Sequence, residues 1–283
     1  MNIAVMSPHT TKNGTTTIAA LLSNELSARN KKVCLTHTKT KSNAIVSFFH
    51  IDEAEDKTAN PIEITNLIRE GGIRKNDISD YCKSIKENFE LFTFNSDDVA
   101  LESFCDVLEF ICTSFPHDYT VFDIDAEELD SKECRTVLKY CDCIVYVFSQ
   151  NSTEYKTFQE NKKRYFHYMK KIPNIVVVNK YNGIIGNMDD IARGIGMKKA
   201  NKWIKVSYNP YVAWGTNQGQ LVTVYEFMKK RDYRLVDVDS DIKNIVNSIM
   251  SIKQVRRDKK FGKEFGKEFE RSVDGVPAKK QIS

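Results

Sequence analysis

Short runs that are apolar at almost every position recur along the chain: Asn2–Met6, Lys32–Leu35, Phe89–Phe94, Tyr119–Asp123, Cys143–Phe148, Ile175–Val178 and Trp203–Val206. A strand with one wet face alternates, whereas a strand covered on both faces is apolar throughout, so these segments predict buried strands. Between them the apolar spacing changes to that of helices. Thr16–Arg29 places Ile18, Leu21, Leu22 and Leu26 on one face, and Ile62–Arg69, Asp97–Ser114, Ser131–Tyr140, Glu154–Lys170 and Met188–Gly194 follow the same period. Asp241–Gln254 groups Ile242, Ile245, Val246 and Ile249 into a stripe that suits a closing helix. The more polar stretch Ile51–Ser84, with Gly71 and Gly72, reads as short helices joined by loops. Strands alternating with helices predict an α/β fold: a doubly wound, mostly parallel sheet with helices on both faces, spanning residues 1–252.

The first strand runs into Ser7–Thr17 (SPHTTKNGTTT), and the first helix follows at once. Strand, tight loop and helix form the frame of a P-loop, so the predicted fold is P-loop NTPase-like. In that motif glycines let backbone N–H groups close around phosphates, and a lysine before the Ser/Thr reaches the outer ones. Gly14 keeps one such position, and Thr16 offers a hydroxyl to magnesium. Thr15 stands where the lysine belongs, and His9 where the first glycine belongs. Lys12 is a cation from an unusual place, and Thr15 to Thr17 bring the N–H groups of a helix start.

Ligands of open α/β sheets bind at the carboxyl ends of the strands, which is where this loop emerges. Two other strand ends carry polar side chains. Asp123 either holds magnesium through water or caps a neighbouring loop. Asn179, ending a Val-Val-Val run, meets a nucleotide base or forms a turn; buried, its amide needs a partner. The candidate nucleotide set is therefore Lys12, Gly14, Thr15, Thr16, Thr17, Asp123 and Asn179, with Thr16 and Asp123 as the magnesium side. His9 and His37 read as incidental loop histidines, and Asp125 as a solvated carboxylate. Trp214, beside Gly215, reads as core or loop packing rather than as a partner contact.

Composition narrows the setting. No run of about 18 apolar residues is present, and the N-terminus enters a strand directly, so a cytoplasmic protein is expected. The seven cysteines are odd in number and sit in apolar segments, as reduced core thiols do; Cys141 and Cys143 lack the further ligands a metal needs. From Lys253 to Ser283 ten Lys/Arg face five Asp/Glu, a net of +5 that leaves the first 252 residues at −1. The body thus has no broad basic footprint for nucleic acid. The tail repeats Phe-Gly-Lys-Glu and spaces Phe261, Phe265 and Phe269 four apart, as a helix lying on a membrane or docking on a partner would. Two glycines oppose that helix by about 1 kcal/mol each, which favours a solvated tail.

Four landmarks in order resemble the ParA/MinD group of P-loop ATPases (SIMIBI class), and within it the TadZ-like members, over about residues 1–250. Lys32–Asn43 lies where the group writes a strand ending in Asp-x-Asp-Pro-Gln-x-Asn. His117–Asp125 looks like its Walker B strand, and Val176–Tyr181 like its Asn-bearing base-recognition strand. Val206–Pro210 and Asn217–Gly219 look like its late Ile-Pro-Tyr-Asp-Pro and Asn-Gln-Gly segments. The departures fall on charge: Thr10 and Thr15 replace both loop lysines, Thr11 and Lys12 replace two glycines, and His37 and Lys39 replace two aspartates, leaving Asn43.

The resemblance implies a homodimer sandwiching ATP or ADP with magnesium; the departures imply that this nucleotide is held weakly or not at all. It also implies a module, working with protein partners of a larger assembly, that places a bacterial secretion, pilus or conjugation apparatus. MinD-like members end in a membrane-seeking helix, so a peripheral location through Phe261, Phe265 and Phe269 is a further implication. Phosphoryl transfer depends on positioned positive charge, so a degenerate ATPase with no catalytic residue is expected. Two alternatives remain at this level: an active ATP-dependent switch using Lys12 or a partner's lysine, and a DNA-partitioning protein, which the near-neutral body disfavours.

Overall fold

The computed structural model describes residues 1–8, 13–38, 44–49, 61–73, 77–93, 101–124, 131–161, 171–196 and 202–252. Its strands are β1 (Asn2–Met6), β2 (Val33–His37), β3 (Lys83–Lys86), β4 (Phe89–Leu91), β5 (Tyr119–Ile124), β6 (Cys143–Phe148), β7 (Asn174–Tyr181) and β8 (Lys202–Ser207). They form one sheet in the order β3-β4-β2-β5-β1-β6-β7-β8. Every neighbouring pair is parallel except β3–β4 at one edge. The predicted α/β, doubly wound architecture is therefore the one observed, with β1 between β5 and β6.

The helices are α1 (Thr15–Ala28), α2 (Ala44–Phe48), α3 (Pro61–Arg69), α4 (Leu101–Ser114), α5 (Lys132–Tyr140), α6 (Ser152–Glu160), α7 (Met188–Ile195), α8 (Pro210–Asn217), α9 (Leu221–Lys229) and α10 (Val236–Ser251). On one face Ile3, Val5, Leu35, Val121, Val145 and Val177 form a single buried cluster with Leu22 and Leu26 of α1 and Ile242, Ile245 and Ile249 of α10. Alternation turns Ala4, Phe122, Ile144, Tyr146 and Val176 to the opposite face, and all of them are fully buried. Burial on both sides explains why these strands read as continuous apolar runs. By the same alternation His37, Asp123 and Asn179 share the face that α1 covers.

Several boundaries differ from the sequence reading. Within Ile51–Ser84, where only short helices and loops are predicted, Lys83 and Ser84 begin the antiparallel edge strand β3. It is short, bulged between Ser84 and Lys86, and carries lysines at both ends, so it lacks a buried apolar signature. The helices α2, α8 and α9 are additions. Asn209 caps α8 by accepting from Tyr211 N and Val212 N, with Pro210 in the first turn. A Cβ on Gly215 would stand 2.4 Å from Val224 Cγ2, so the missing side chain is what lets α8 close on α9. The closing helix starts at Val236, ahead of the predicted Asp241, after a short 3-10 turn whose Asp232 side chain accepts from Arg234 N. The predicted helix ends at 97–100, 162–170 and 253–254 lie outside the described residues.

Five of the seven cysteines are buried and all are free thiols. Burial pushes the Cys34 and Cys143 thiols well above the usual range, and Cys105 up to about 11, which makes them inert packing groups. Among the described residues no helix is long and apolar enough to cross a membrane.

Two strand ends are held by the same device. Ser149, after β6, donates through its N–H (2.9 Å) and hydroxyl (2.6 Å) to the fully buried Glu154. Ser207, ending β8, donates likewise to the buried Asp241 at 3.0 and 2.8 Å. Each buried carboxylate answers two donors of a half-buried serine. Replacing Asp241 with Ala is expected to cost about 2–4 kcal/mol, because it leaves both Ser207 donors unpaired. Asp241→Asn, which keeps one acceptor, is expected to cost less. Urea unfolding checks this through a lowered midpoint at unchanged m-value.

Candidate functional site

Four strand ends and the start of α1 converge at the carboxyl edge of the sheet. The chain leaves β1, passes Ser7, and re-enters the described residues at Asn13. Gly14 precedes α1 in the left-handed region (φ 80°, ψ 31°), and Ile18 N donates to its carbonyl at 2.9 Å. No side chain caps α1 and no acidic residue lies in its first turn. The positive end of the helix dipole and its N–H groups are thus directed at the loop.

Thr16, in that first turn, donates its hydroxyl to Asp123 Oδ2 at 2.7 Å. Asp123 is 6% exposed and stands in register with Val5 of β1 on one side and His37 of β2 on the other. Its backbone carbonyl accepts from Thr38 N at 3.1 Å, which fastens the end of β2 to β5. His37 is buried beside it, on the same face. The histidine expected to be incidental to a loop is therefore part of a strand, directly next to the carboxylate.

Asn179 is also buried, and its amide nitrogen donates to the Asn13 carbonyl at 2.7 Å. Asn13 in turn donates from Nδ2 to Ser7 Oγ at 2.5 Å. A chain of carboxamides thus braces the loop from the end of β7 to the end of β1. Strand β7 shifts register between Val178 and Tyr181, and Lys180 adopts φ +54°, uncommon for a residue with a side chain. This bulge lies directly after Asn179. Gly14 completes the fit: a Cβ there would lie 2.4 Å from Asn179 Nδ2.

Of the sequence candidates, Gly14, Thr15, Thr16, Thr17, Asp123 and Asn179 lie at this edge, with Thr16 paired to Asp123 and Asn179 to the loop backbone. Lys12, together with His9, Thr10, Thr11, Lys39, Asn43 and Asp125, lies outside the described residues, as do Phe261, Phe265 and Phe269. Sequence reasoning missed Asn13 and Ser7. An amide directly before a loop glycine and a hydroxyl at a strand end were the available signals. Trp214 is 45% exposed, which departs from the packing role expected of it.

Thr16 and Asp123 bring together a hydroxyl and a carboxylate, hard oxygens of the kind that suit magnesium. Asn13 to Thr17 include no cation, and α1 opens on Thr15. Among the described residues no three His, Cys, Asp or Glu side chains converge as a metal cluster.

The chain matches no protein-family model and no curated protein sequence. Solved structures do resemble it. A ParA family ATPase from Chlorobium tepidum TLS superposes with a TM-score of 0.67 at 14% identity, covering 87% of this chain and 97% of that one. MinD in the MinC:MinD cell division complex of Aquifex aeolicus gives 0.66 at 15%, covering 91% and 98%. The septum site-determining protein MinD of Pyrococcus horikoshii OT3, complexed with Mg-ADP, gives 0.63 at 12%, covering 89% and 97%. At these identities the likeness concerns the fold: the chain has the fold of ParA/MinD-type P-loop ATPases over nearly their whole length.

The contact between Gly14 and Asn179 can be read as a coupling. Gly14→Ala is expected to cost about 2 kcal/mol or more, from left-handed strain together with the clash. In an Asn179→Ala background the clash is gone, so the two substitutions should be non-additive by about 1 kcal/mol. A double-mutant cycle of unfolding free energies measures this, and strict additivity would remove the brace.

Proposed function

We propose that this chain is a non-hydrolysing relative of the ParA/MinD ATPases that acts as a binding and positioning module. The reading rests on one observation above others. The magnesium-side pair Thr16–Asp123 is intact at 2.7 Å, while the first residue of α1, just before Thr16, is Thr15. The terminal phosphoryl group is cleaved by concentrated positive charge and an oriented water, and a threonine supplies neither. His37, in register with Asp123 where the resembling group carries an aspartate, removes a carboxylate from the water side as well.

Adenine nucleotide with magnesium is accordingly held weakly, by the N–H groups of α1, Thr16 and Asp123, and is not turned over. Homodimers in this reading are joined by protein surface rather than by a shared nucleotide. The module places a bacterial secretion, pilus or conjugation apparatus from the cytoplasm, with the basic tail as a peripheral membrane or partner contact through Phe261, Phe265 and Phe269. What supports a partner-binding role is the company of the fold, which includes a MinD solved together with MinC.

Phosphate release from purified protein is expected to stay at background with ATP and magnesium, and to be unchanged by Asp123→Ala. Turnover abolished by that substitution would refute the reading. Sedimentation velocity should give the same oligomeric state with and without ATP, and a nucleotide-driven dimer would count against the surface-held assembly.

A further inference from the structure

Two asparagine–glycine pairs lie in the described residues: Asn13–Gly14 before α1, and Asn182–Gly183 in the turn after β7. Such a pair has a chemistry of its own. The glycine nitrogen attacks the side-chain carbonyl of the asparagine and closes a succinimide ring, because glycine has no side chain to obstruct the approach. The fold treats the two pairs in opposite ways.

Asn13 is 2% exposed, its Nδ2 donates to Ser7 Oγ at 2.5 Å, and its carbonyl accepts from Asn179 Nδ2 at 2.7 Å. The amide that would have to leave is therefore held and buried. Asn182 and Gly183, by contrast, are both exposed. Ile184 N donates to Asn182 Oδ1 at 3.0 Å and Ile185 N to Asn182 O at 3.1 Å, an asparagine side-chain turn within a backbone turn. The first bond folds the side chain back along the Gly183 peptide. It also sets a backbone N–H on the oxygen that gains negative charge when a nucleophile adds to Cγ, as an oxyanion hole does. Neither Asn182 Nδ2, the group that leaves, nor Gly183 N, the group that attacks, makes a hydrogen bond among the described residues. Gln150 fixes the chain just ahead, accepting from Asn182 N at 2.5 Å.

We propose that Asn182 is a self-modifying site, converted without an enzyme to aspartate and isoaspartate through a succinimide with Gly183. The bond from Gly183 N to Asn182 Cγ forms, the Cγ–Nδ2 bond breaks, and the Gly183 proton departs with Nδ2 as ammonia. One water then opens the ring. Addition at Cγ leaves aspartate, and addition at the main-chain carbonyl of residue 182 leaves isoaspartate, in which the chain runs through the side chain. Nothing is oxidised or reduced. Either product adds a negative charge to a turn that leads into Asp189 and Asp190 of α7. Isoaspartate also takes the carbonyl that accepts from Ile185 N out of the main chain. The turn that Gln150 clamps at Asn182 N and Gly186 O is thereby lengthened, which loosens the connection from β7 to α7.

The test is peptide mapping by mass spectrometry of the full-length protein held at neutral pH and physiological temperature, with isoaspartate counted by methyl transfer from a protein isoaspartyl methyltransferase. In the folded chain the Asn182 peptide is expected to deamidate about tenfold faster than the Asn13 peptide, because only the first pair is exposed and aligned. In guanidinium, where sequence alone acts, the two should react at closely similar rates. Gly183→Ala is expected to slow the reaction at Asn182 about tenfold by crowding the attacking nitrogen. A Cβ at Gly183 would meet nothing nearer than 3.9 Å, and Gly183 is outside the left-handed region, so the urea midpoint of this variant should be unchanged. An Asn182 peptide that stays intact in the folded chain, an Asn13 peptide that reacts as fast, or an unaltered rate in the Gly183→Ala variant would each overturn the proposal.

Discussion

The hydrogen bond from Thr16 to Asp123 joins the first turn of α1 to the middle of the sheet, and the geometry of the site depends on it. Asp123 sits on β5 between β1 and β2, so a helix tied to it is held at the point where the loop must pass. A buried carboxylate needs donors, and it obtains the Thr16 hydroxyl two residues after Gly14 turns the chain through the left-handed region. From the far side Asn179 presses its amide against the same turn and takes the Asn13 carbonyl. The described ends of the loop, Ser7 and Asn13, are tied to each other and to β7 by side-chain amides.

Those ties bear on the proposed function. A phosphate loop that relies on glycines and lysines is shaped in part by its anion, whereas the described part of this one is braced by two carboxamides, a serine and a carboxylate. The described residues hold a hydroxyl–carboxylate pair beside the start of α1, and the first residue of that helix, Thr15, is neutral. On the proposed reading the fold is served by these hydrogen bonds, while turnover needs a charge that Thr15 does not carry.

How much could be read in advance differed by element. The buried strands β1, β5, β6 and β7 announced themselves because burial on both faces leaves no polar position to blur the run. Edge strand β3 did not, since Lys83, Ser84 and Lys86 answer to solvent and to the danger of pairing with another sheet, not to a core. The helices α8 and α9 were missed because their stability is tertiary. Gly215 is favourable there only because Val224 comes so near, a relation between two helices that neither segment displays alone.

By itself the sequence determined the alternation of strand and helix, the loop between β1 and α1, and the presence of threonine rather than lysine at positions 10 and 15, because periodicity and residue chemistry are local. Only the tertiary structure decided which neighbours Asp123, His37 and Asn179 meet. Parallel register brought His37 against Asp123, and the bulge at Lys180 accompanies the turn of Asn179 onto the loop carbonyl. Those partners lie between 86 and 166 residues apart in the chain, and only the order of strands in the sheet makes them neighbours.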